Sequence, residues 1–353
     1  MAAQNQTMTG AGYVVAAEIA ACVVGVAAVA MQGNLPGNFG DDDLKIQQIA
    51  QGTLVVSDKA FEAVASVYSA VGLADHAFLA GLFSFGLFFL VQLAIIRPRE
   101  LARAHGFVLA LVVGSVVIGG VFLGQYTKEI VTLSVVLVIG LSRRRSINVE
   151  MAILAAMLTI SIGVRRYWLL VLVVYLAFRY LHRRRVALRW HLVLPMAVWS
   201  VLAVVFLVRL GGPLDMYRAR ANSREHRLGT NTIIDPLFGG DGPFVGFLNT
   251  VGAAVELVLP WSLLTVGAVY AVVGALIALL WMQFFSCYRR FVRMGTPDVV
   301  QERIYSLVPA LLTIQALFEP DYGSYVRHLT PLLPLMALAM LRVALIGEER
   351  DDR

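Results

Sequence analysis

The chain has 353 residues, 59% of them hydrophobic and 15% charged, with a formal net charge of +6 at pH 7. A soluble domain carries roughly a quarter charged residues, so this composition excludes a soluble globule. The basic excess is spread over short connectors between apolar runs, as in membrane proteins, so no nucleic-acid partner is expected.

A hydrocarbon core about 30 Å thick needs roughly 20 apolar residues as helix. From the N-terminus the hydropathy predicts ten spans: 11–31, 77–96, 107–124, 130–142, 147–164, 167–182, 192–209, 261–285, 303–318 and 329–346. The first contains an Ala28-Val29-Ala30 step, but no Lys or Arg precedes Lys45. It lacks the basic region of a signal peptide and is read as a retained helix.

The loop 32–76 carries Asp41, Asp42, Asp43, Asp58, Glu62 and Asp75 against Lys45 and Lys59. Within it Phe61, Val64, Tyr68 and Val71 recur at helical spacing between Ser57, as cap, and Gly72, which predicts an interfacial helix. Spans 130–142 and 147–164 are short enough for a re-entrant hairpin, but omitting them would strand Arg143 to Arg145 on the wrong side. Phe244 to Leu259, ahead of Pro260, is read as a second interfacial helix, since two crossings between 244 and 285 would put Arg289, Arg290 and Arg293 outside. Gly239, Gly240 and Gly242 around Asp241 read as a turn before it.

With both termini inside, the clusters Arg97/Arg99/Arg103, Arg143 to Arg145, Arg183 to Arg185 with Arg189, and Arg289/Arg290/Arg293 all fall on the cytoplasmic side. The expected fold is an all-α polytopic transmembrane helix bundle of about ten spans with external interfacial helices. It forms a single integral membrane domain over 1–353, with external loops 32–76 and 210–260. Cys22 and Cys287 lie too far apart to pair or to hold a metal.

Positive-inside bias accounts for the cytoplasmic arginines and leaves the external charges to be explained. These are Lys128 and Glu129, Arg165 and Arg166, Arg209, the run Arg218, Arg220, Arg224, Glu225, His226 and Arg227, and finally Glu319, Asp321, Arg327 and His328. Charge at membrane depth is costly and faces polar cavities. The planar fork of arginine suits phosphate oxygens, so Lys128, Arg165, Arg166, Arg209, Arg218, Arg224 and Arg327 are the candidate contacts to a lipid-linked phosphate. Asp43, Glu129, His226, Glu319, Asp321 and His328 are the candidate general bases for an acceptor hydroxyl. Each has a plainer structural reading as a solvated interfacial pair, a snorkelling arginine or a structural histidine. Tyr126, Tyr167, Trp168, Trp190 and Trp261 at span ends read as the aromatic belt. No P-loop, dinucleotide-binding glycine pattern, zinc-protease helix or nucleophile elbow stands in a suitable context.

Three stretches, GNFGDDDLKIQQIAQG with KAFEAVASVYSAVGL, GQYTKEIVTLSVVLVIGL with GVRRYWLLVLVVYL, and FEPDYGSYVRHLTPLLPLM, resemble the Wzy-type polysaccharide repeat-unit polymerases among the GT-C-like glycosyltransferases. That resemblance implies polymerisation of undecaprenyl-pyrophosphate-linked oligosaccharides on the external face of the cytoplasmic membrane. It implies no cofactor and no metal, with Arg165, Arg166 and Arg327 as pyrophosphate or sugar contacts. Membrane lipids and a chain-length regulator or flippase protein are the implied neighbours. Asp41 to Asp43 also resembles the first-loop acidic motif of GT-C transferases that add a single sugar from a polyprenyl-phosphate donor, which would make Asp42 or Asp43 the base. A transporter or lipid-linked oligosaccharide flippase is the non-enzymatic alternative. Internal symmetry would signal it, and loops 32–76 and 210–260 occupy unrelated places.

Overall fold

A computed structural model describes residues 2–34, 41–295 and 298–351, without the side chains of 2–9, 41 and 346–351. Gly37 to Gly40 of the acidic-loop motif, and the side chain of Asp41, lie outside the described residues. The helices in chain order are α1 (Ala2–Ala30), α2 (Asp41–Ala50), α3 (Lys59–Ala70), α4 (Ala77–Ile95), α5 (Pro98–Leu101), α6 (Gly106–Leu123), α7 (Thr132–Leu141), α8 (Ile147–Gly163) and α9 (Trp168–Arg183). They continue as α10 (Leu188–Leu210), α11 (Met216–Arg227), α12 (Pro243–Val258), α13 (Leu263–Val266), α14 (Ala268–Met294), α15 (Val299–Phe318), α16 (Tyr322–Leu329) and α17 (Leu333–Asp351). Among the described residues the only β pairing is an isolated bridge between Ile233 and Asp321.

The chain is an all-α, multi-pass membrane protein. Helix underlies most of each expected span, and among the described residues six stretches are long and apolar enough to cross a bilayer: Gly10–Ala30, Ala77–Ile95, Gly106–Leu123, Leu188–Leu210, Ala268–Met294 and Tyr322–Leu345. The remaining expected spans are shorter or carry charge. α7 has 10 residues, about 15 Å at the helical rise, and follows a 3-10 turn, Lys128–Val131. α8 has 17 and α9 has 16, while α15 has 20 but includes Glu302 and Arg303.

Three boundaries differ from expectation. The helix in the acidic loop is capped by Asp58, whose carboxylate accepts the Ala60 N–H at 3.0 Å, rather than by Ser57; a carboxylate is the stronger acceptor at a positive helix end. A second helix, α2, starts in the acidic run itself. The span expected at 261–285 begins only at Ala268 and continues to Met294, so Arg289, Arg290 and Arg293 lie on helix rather than in a connector.

The described residues form two compact units. The first comprises Met1–Leu169, Val299–Ile304 and Arg327–Arg353. At its middle runs α17, with Leu335 to Leu341 at 2% exposure or less, packed on α4, α6 and α7. A helix apolar on all sides has to be enclosed by others or by lipid, and here it is enclosed by others.

Helices α1, α4 and α6 approach closely through glycines. A Cβ on Gly120 would lie 2.5 Å from the Gly25 carbonyl oxygen, and one on Gly81 would lie 2.2 Å from that of Gly124. Lipid tails are as apolar as leucine, so helices in a membrane associate through such close packing. Gly120→Leu is therefore expected to separate α1 from α6 and lower the melting temperature in detergent. Gly114→Leu, where a Cβ meets nothing within 4 Å, should leave the melting temperature unchanged. Between α4 and α6, buried Gln92 donates to the Val112 carbonyl at 3.2 Å and accepts from Ser115 at 2.6 Å, which satisfies both groups away from water.

The first unit has two chemically distinct ends. At one, Arg143 lies 3.7 Å from Glu100, Arg145 lies 2.8 Å from Glu302, and fully buried Arg303 donates to the Ser142 and Arg144 carbonyls and to Glu150. Arg97, Arg99 and Arg103 follow α4 at the same end. At the other, the start of α4 meets the end of α6: the Tyr126 hydroxyl donates to the Leu73 carbonyl at 2.6 Å.

The second unit comprises Leu170–Asp298 and Tyr305–Val326. Its loop after α11 is tied down by backbone bonds from Ile234 N–H to Pro320 and from Tyr322 N–H to Thr232, and by Asn222, which donates to the Ile234 carbonyl at 2.8 Å. Elsewhere in this unit Tyr288 links two histidines. His191 Nε2 faces the Val186 carbonyl and so must donate. Its Nδ1 therefore accepts from the Tyr288 hydroxyl at 2.6 Å, which in turn accepts from His182 Nε2 at 3.1 Å.

Candidate functional site

The site lies at the end of the first unit where α4 begins. Each functional side chain is set there by local structure. The first turn of α2 carries Asp42 and Asp43, and α2 is anchored by Ile46, which is fully buried among Val64, Ala65, Tyr68 and Tyr126. Thr127 caps the 3-10 turn after α6 by accepting the Glu129 N–H at 3.3 Å, which orients Lys128 and Glu129. Arg165 follows the last turn of α8, where its N–H still bonds the Ile160 carbonyl at 2.8 Å. Arg327 and His328 stand in the last turn of α16.

These side chains interlock. Arg165 pairs with Glu129 and contacts His328, and it donates to the Tyr167 hydroxyl at 2.9 Å. His328 Nε2 is 3.4 Å from the same Glu129 oxygen. One Asp42 oxygen lies 3.3 Å from Lys128 Nζ and 3.7 Å from Arg327 Nη1. Lys128 Nζ also stands 3.7 Å above the Phe61 ring, a cation–π contact. The cluster has depth: the Glu129 side chain is 4% exposed and that of Asp42 is 35% exposed. Of the ion-paired side chains in the cluster, Glu129 is the least exposed and Asp42 the most.

The two neighbouring aspartates are driven apart in acidity. Burial pushes the Asp43 carboxyl up to about 6, against the Tyr126 N–H that donates to it at 2.6 Å and the charge of Arg327. Burial pushes Asp42 the same way, but Lys128 and Arg327 outweigh it and hold that carboxyl below its ordinary value. Burial lowers the Lys128 ammonium, and Asp42 opposes the shift. A pair of carboxyls separated in this manner offers one permanent anion and one group that exchanges a proton near neutrality.

Of the residues expected from the sequence, Asp43, Lys128, Glu129, Arg165, Arg327 and His328 meet in this cluster. Arg166 is exposed and contributes no side-chain contact to it. The other candidates belong to the second unit. Arg209 and Arg224 are exposed there, and His226 is exposed and pairs with Asp235 at 2.9 Å. Arg218 is buried and donates to the Asn249 carbonyl at 2.9 Å. Glu319 is buried, and Asp321 caps the backbone of Ser324 at 2.9 Å beside the bridge to Ile233.

Aromatic residues read as membrane belt prove to be part of the site. Tyr126 donates its N–H to Asp43 and Tyr167 accepts from Arg165, while Trp168, which follows Tyr167, is buried without a side-chain hydrogen bond to the cluster among the described residues. The signal available in the sequence was adjacency: Tyr126 stands two residues before Lys128, and Tyr167 directly follows Arg165 and Arg166. Trp190 and Trp261 are exposed.

Fold and site together define a multi-pass α-helical membrane protein with a mixed acid–base cluster at one end of its first unit. Compared with protein-family models, curated proteins and solved structures, the chain matches none.

Proposed function

We propose that the chain is a membrane glycosyltransferase that polymerises oligosaccharides carried on undecaprenyl pyrophosphate. It would act at the external face of the cytoplasmic membrane, with both termini inside. The observation that carries this reading is the gathering of Lys128, Arg165 and Arg327 with Asp43, Glu129 and His328 from four separate stretches of the chain. The orientation rests on the arginine-rich opposite end, which the positive-inside rule puts in the cytosol.

In the proposed reaction the acceptor hydroxyl oxygen bonds to the anomeric carbon of the donor sugar as the bond from that carbon to the pyrophosphate oxygen breaks. The pyrophosphate leaves with the electron pair, stabilised by the cations, and the hydroxyl proton passes to Asp43. Pyrophosphate is a good leaving group, so positioning and charge stabilisation supply most of the acceleration. No covalent nucleophile is required.

The test contrasts two adjacent arginines. Arg165→Ala at unchanged expression should collapse long surface glycans to single repeat units, whereas Arg166→Ala should leave the length distribution intact. Wild-type chain lengths in the Arg165 variant would overturn the assignment. The position and raised pKa of Asp43 also suit a transferase that adds one sugar from a polyprenyl phosphate. In that case Asp43→Asn removes one sugar from the glycan and does not alter chain length.

A further inference from the structure

An anion site made only of lysine and arginine, at the membrane boundary, would be occupied by the abundant singly charged phosphodiester headgroups around it. This cluster is not left bare. Asp42 already holds Lys128 at 3.3 Å and Arg327 at 3.7 Å through one oxygen. It is presented by a helix with its own hold on the unit, through buried Ile46 and through Ser69, which donates to the Ala50 carbonyl at 2.7 Å. Glu129 plays a different part, deeper in the site against Arg165 and His328.

We propose that Asp42 is a specificity-determining residue: a resident counter-anion that keeps phosphodiester headgroups out of the cation cluster and yields to a ligand with two or more negative charges. The inference rests on the anion-binding reading above. Replacing one carboxylate by one phosphodiester leaves the charge balance unchanged and sacrifices an interaction that α2 presents ready-made. Replacing it by a pyrophosphate or phosphomonoester adds at least one unit of favourable charge beside Lys128, Arg165 and Arg327. The aromatic face of Phe61 under Lys128 keeps the ammonium in position while its partner changes. Asp43, one residue on, stays bound to the Tyr126 N–H and is not part of the exchange.

The experiment uses the full chain in phosphatidylcholine nanodiscs, titrated with inorganic pyrophosphate in the presence and absence of short-chain phosphatidylglycerol. Wild type should bind pyrophosphate without competition from the lipid. Asp42→Asn should bind pyrophosphate up to about fivefold tighter, the scale expected for removing one partly screened competing ion pair, and phosphatidylglycerol should now compete. Equal or weaker pyrophosphate binding by Asp42→Asn, or no competition in that variant, overturns the role of Asp42 and leaves the anion site standing. Failure of both proteins to bind pyrophosphate overturns the anion site itself. A second measurement needs no variant: pyrophosphate should speed amide hydrogen exchange across residues 44–50 of wild type as Asp42 is released. Slowed or unchanged exchange there, with pyrophosphate bound, rejects the displacement.

Discussion

Asp43→Asn is expected to lower turnover by at least about 100-fold, the scale of a lost general base, while the protein stays folded. Asparagine keeps the oxygen that accepts the Tyr126 N–H, so the backbone contact survives and only proton exchange is lost. The pH dependence separates this role from a structural one. With the carboxyl at about 6, the wild-type rate should rise with pH through that value and level off above it, and the residual rate of the variant should not show the step. The stability effect has the opposite sense. A carboxyl raised above its ordinary 3.8 favours the folded state in its protonated form. That contribution is complete below the ordinary value and is lost as pH rises through about 6. Asp43→Asn should therefore melt at or above the wild-type temperature at pH 7.5, and lose that advantage near pH 4. Turnover of a lipid-linked substrate against pH, with melting curves on the same samples, checks both. A wild-type rate in the variant at neutral pH would remove Asp43 from the reaction.

Arg303→Met is expected to be the most destabilising single change at the opposite end of the first unit. The guanidinium is fully buried and reaches Glu150 through Nη2 at 2.9 Å and Nε at 3.3 Å, with the Ser142 and Arg144 carbonyls as further acceptors. It thus closes the connector between α7 and α8. Breaking such a buried pair costs about 3–5 kcal/mol, and the Ser142 and Arg144 carbonyls lose this donor at the same time. Lysine should rescue little, since it lacks the planar fork that satisfies Glu150 through two nitrogens. The double replacement Arg303→Met with Glu150→Gln should recover part of the loss. Arg143 lies 3.7 Å from Glu100, and both side chains are exposed to solvent, 43% and 29%, so Arg143→Ala should cost about 1 kcal/mol or less. Melting temperature and the fraction recovered as a single species after gel filtration in detergent measure the contrast. A melting temperature for Arg303→Met equal to that of Arg143→Ala would reject it.

The acidic loop shows where local reading succeeds and where it stops. Spacing of Phe61, Val64 and Tyr68 was enough to find α3, because an amphipathic stripe is a local property. It did not find α2, since Asp-Asp-Asp followed by Leu44 and Ile46 is a poor amphipathic pattern, and the helix depends on burying Ile46 against Tyr68 and Tyr126. The charged span ends Lys128, Glu129, Arg165, Arg327 and His328 were legible as unusual charge next to apolar runs. Their partners were not: Tyr126 and Tyr167 have the composition of belt aromatics and are distinguished only by whom they touch. Arg303 lay inside an expected span and gave no signal, because its acceptors are mostly backbone carbonyls more than 150 residues earlier.

Taken alone, then, the amino-acid order determined that this is a multi-pass α-helical membrane protein with charges alternating between its connectors, because hydropathy and helical periodicity are summed over neighbouring residues. The tertiary structure alone decided which charges meet. Asp42, Glu129, Arg165 and His328 come from α2, the turn after α6, the end of α8 and α16, and no short-range pattern encodes the order in which helices pack. It also decided that Arg165 turns into the cluster while Arg166 turns out of it. That outcome depends on the Glu129, Tyr167 and His328 groups waiting at the end of the helix, which adjacent, chemically identical arginines cannot reveal.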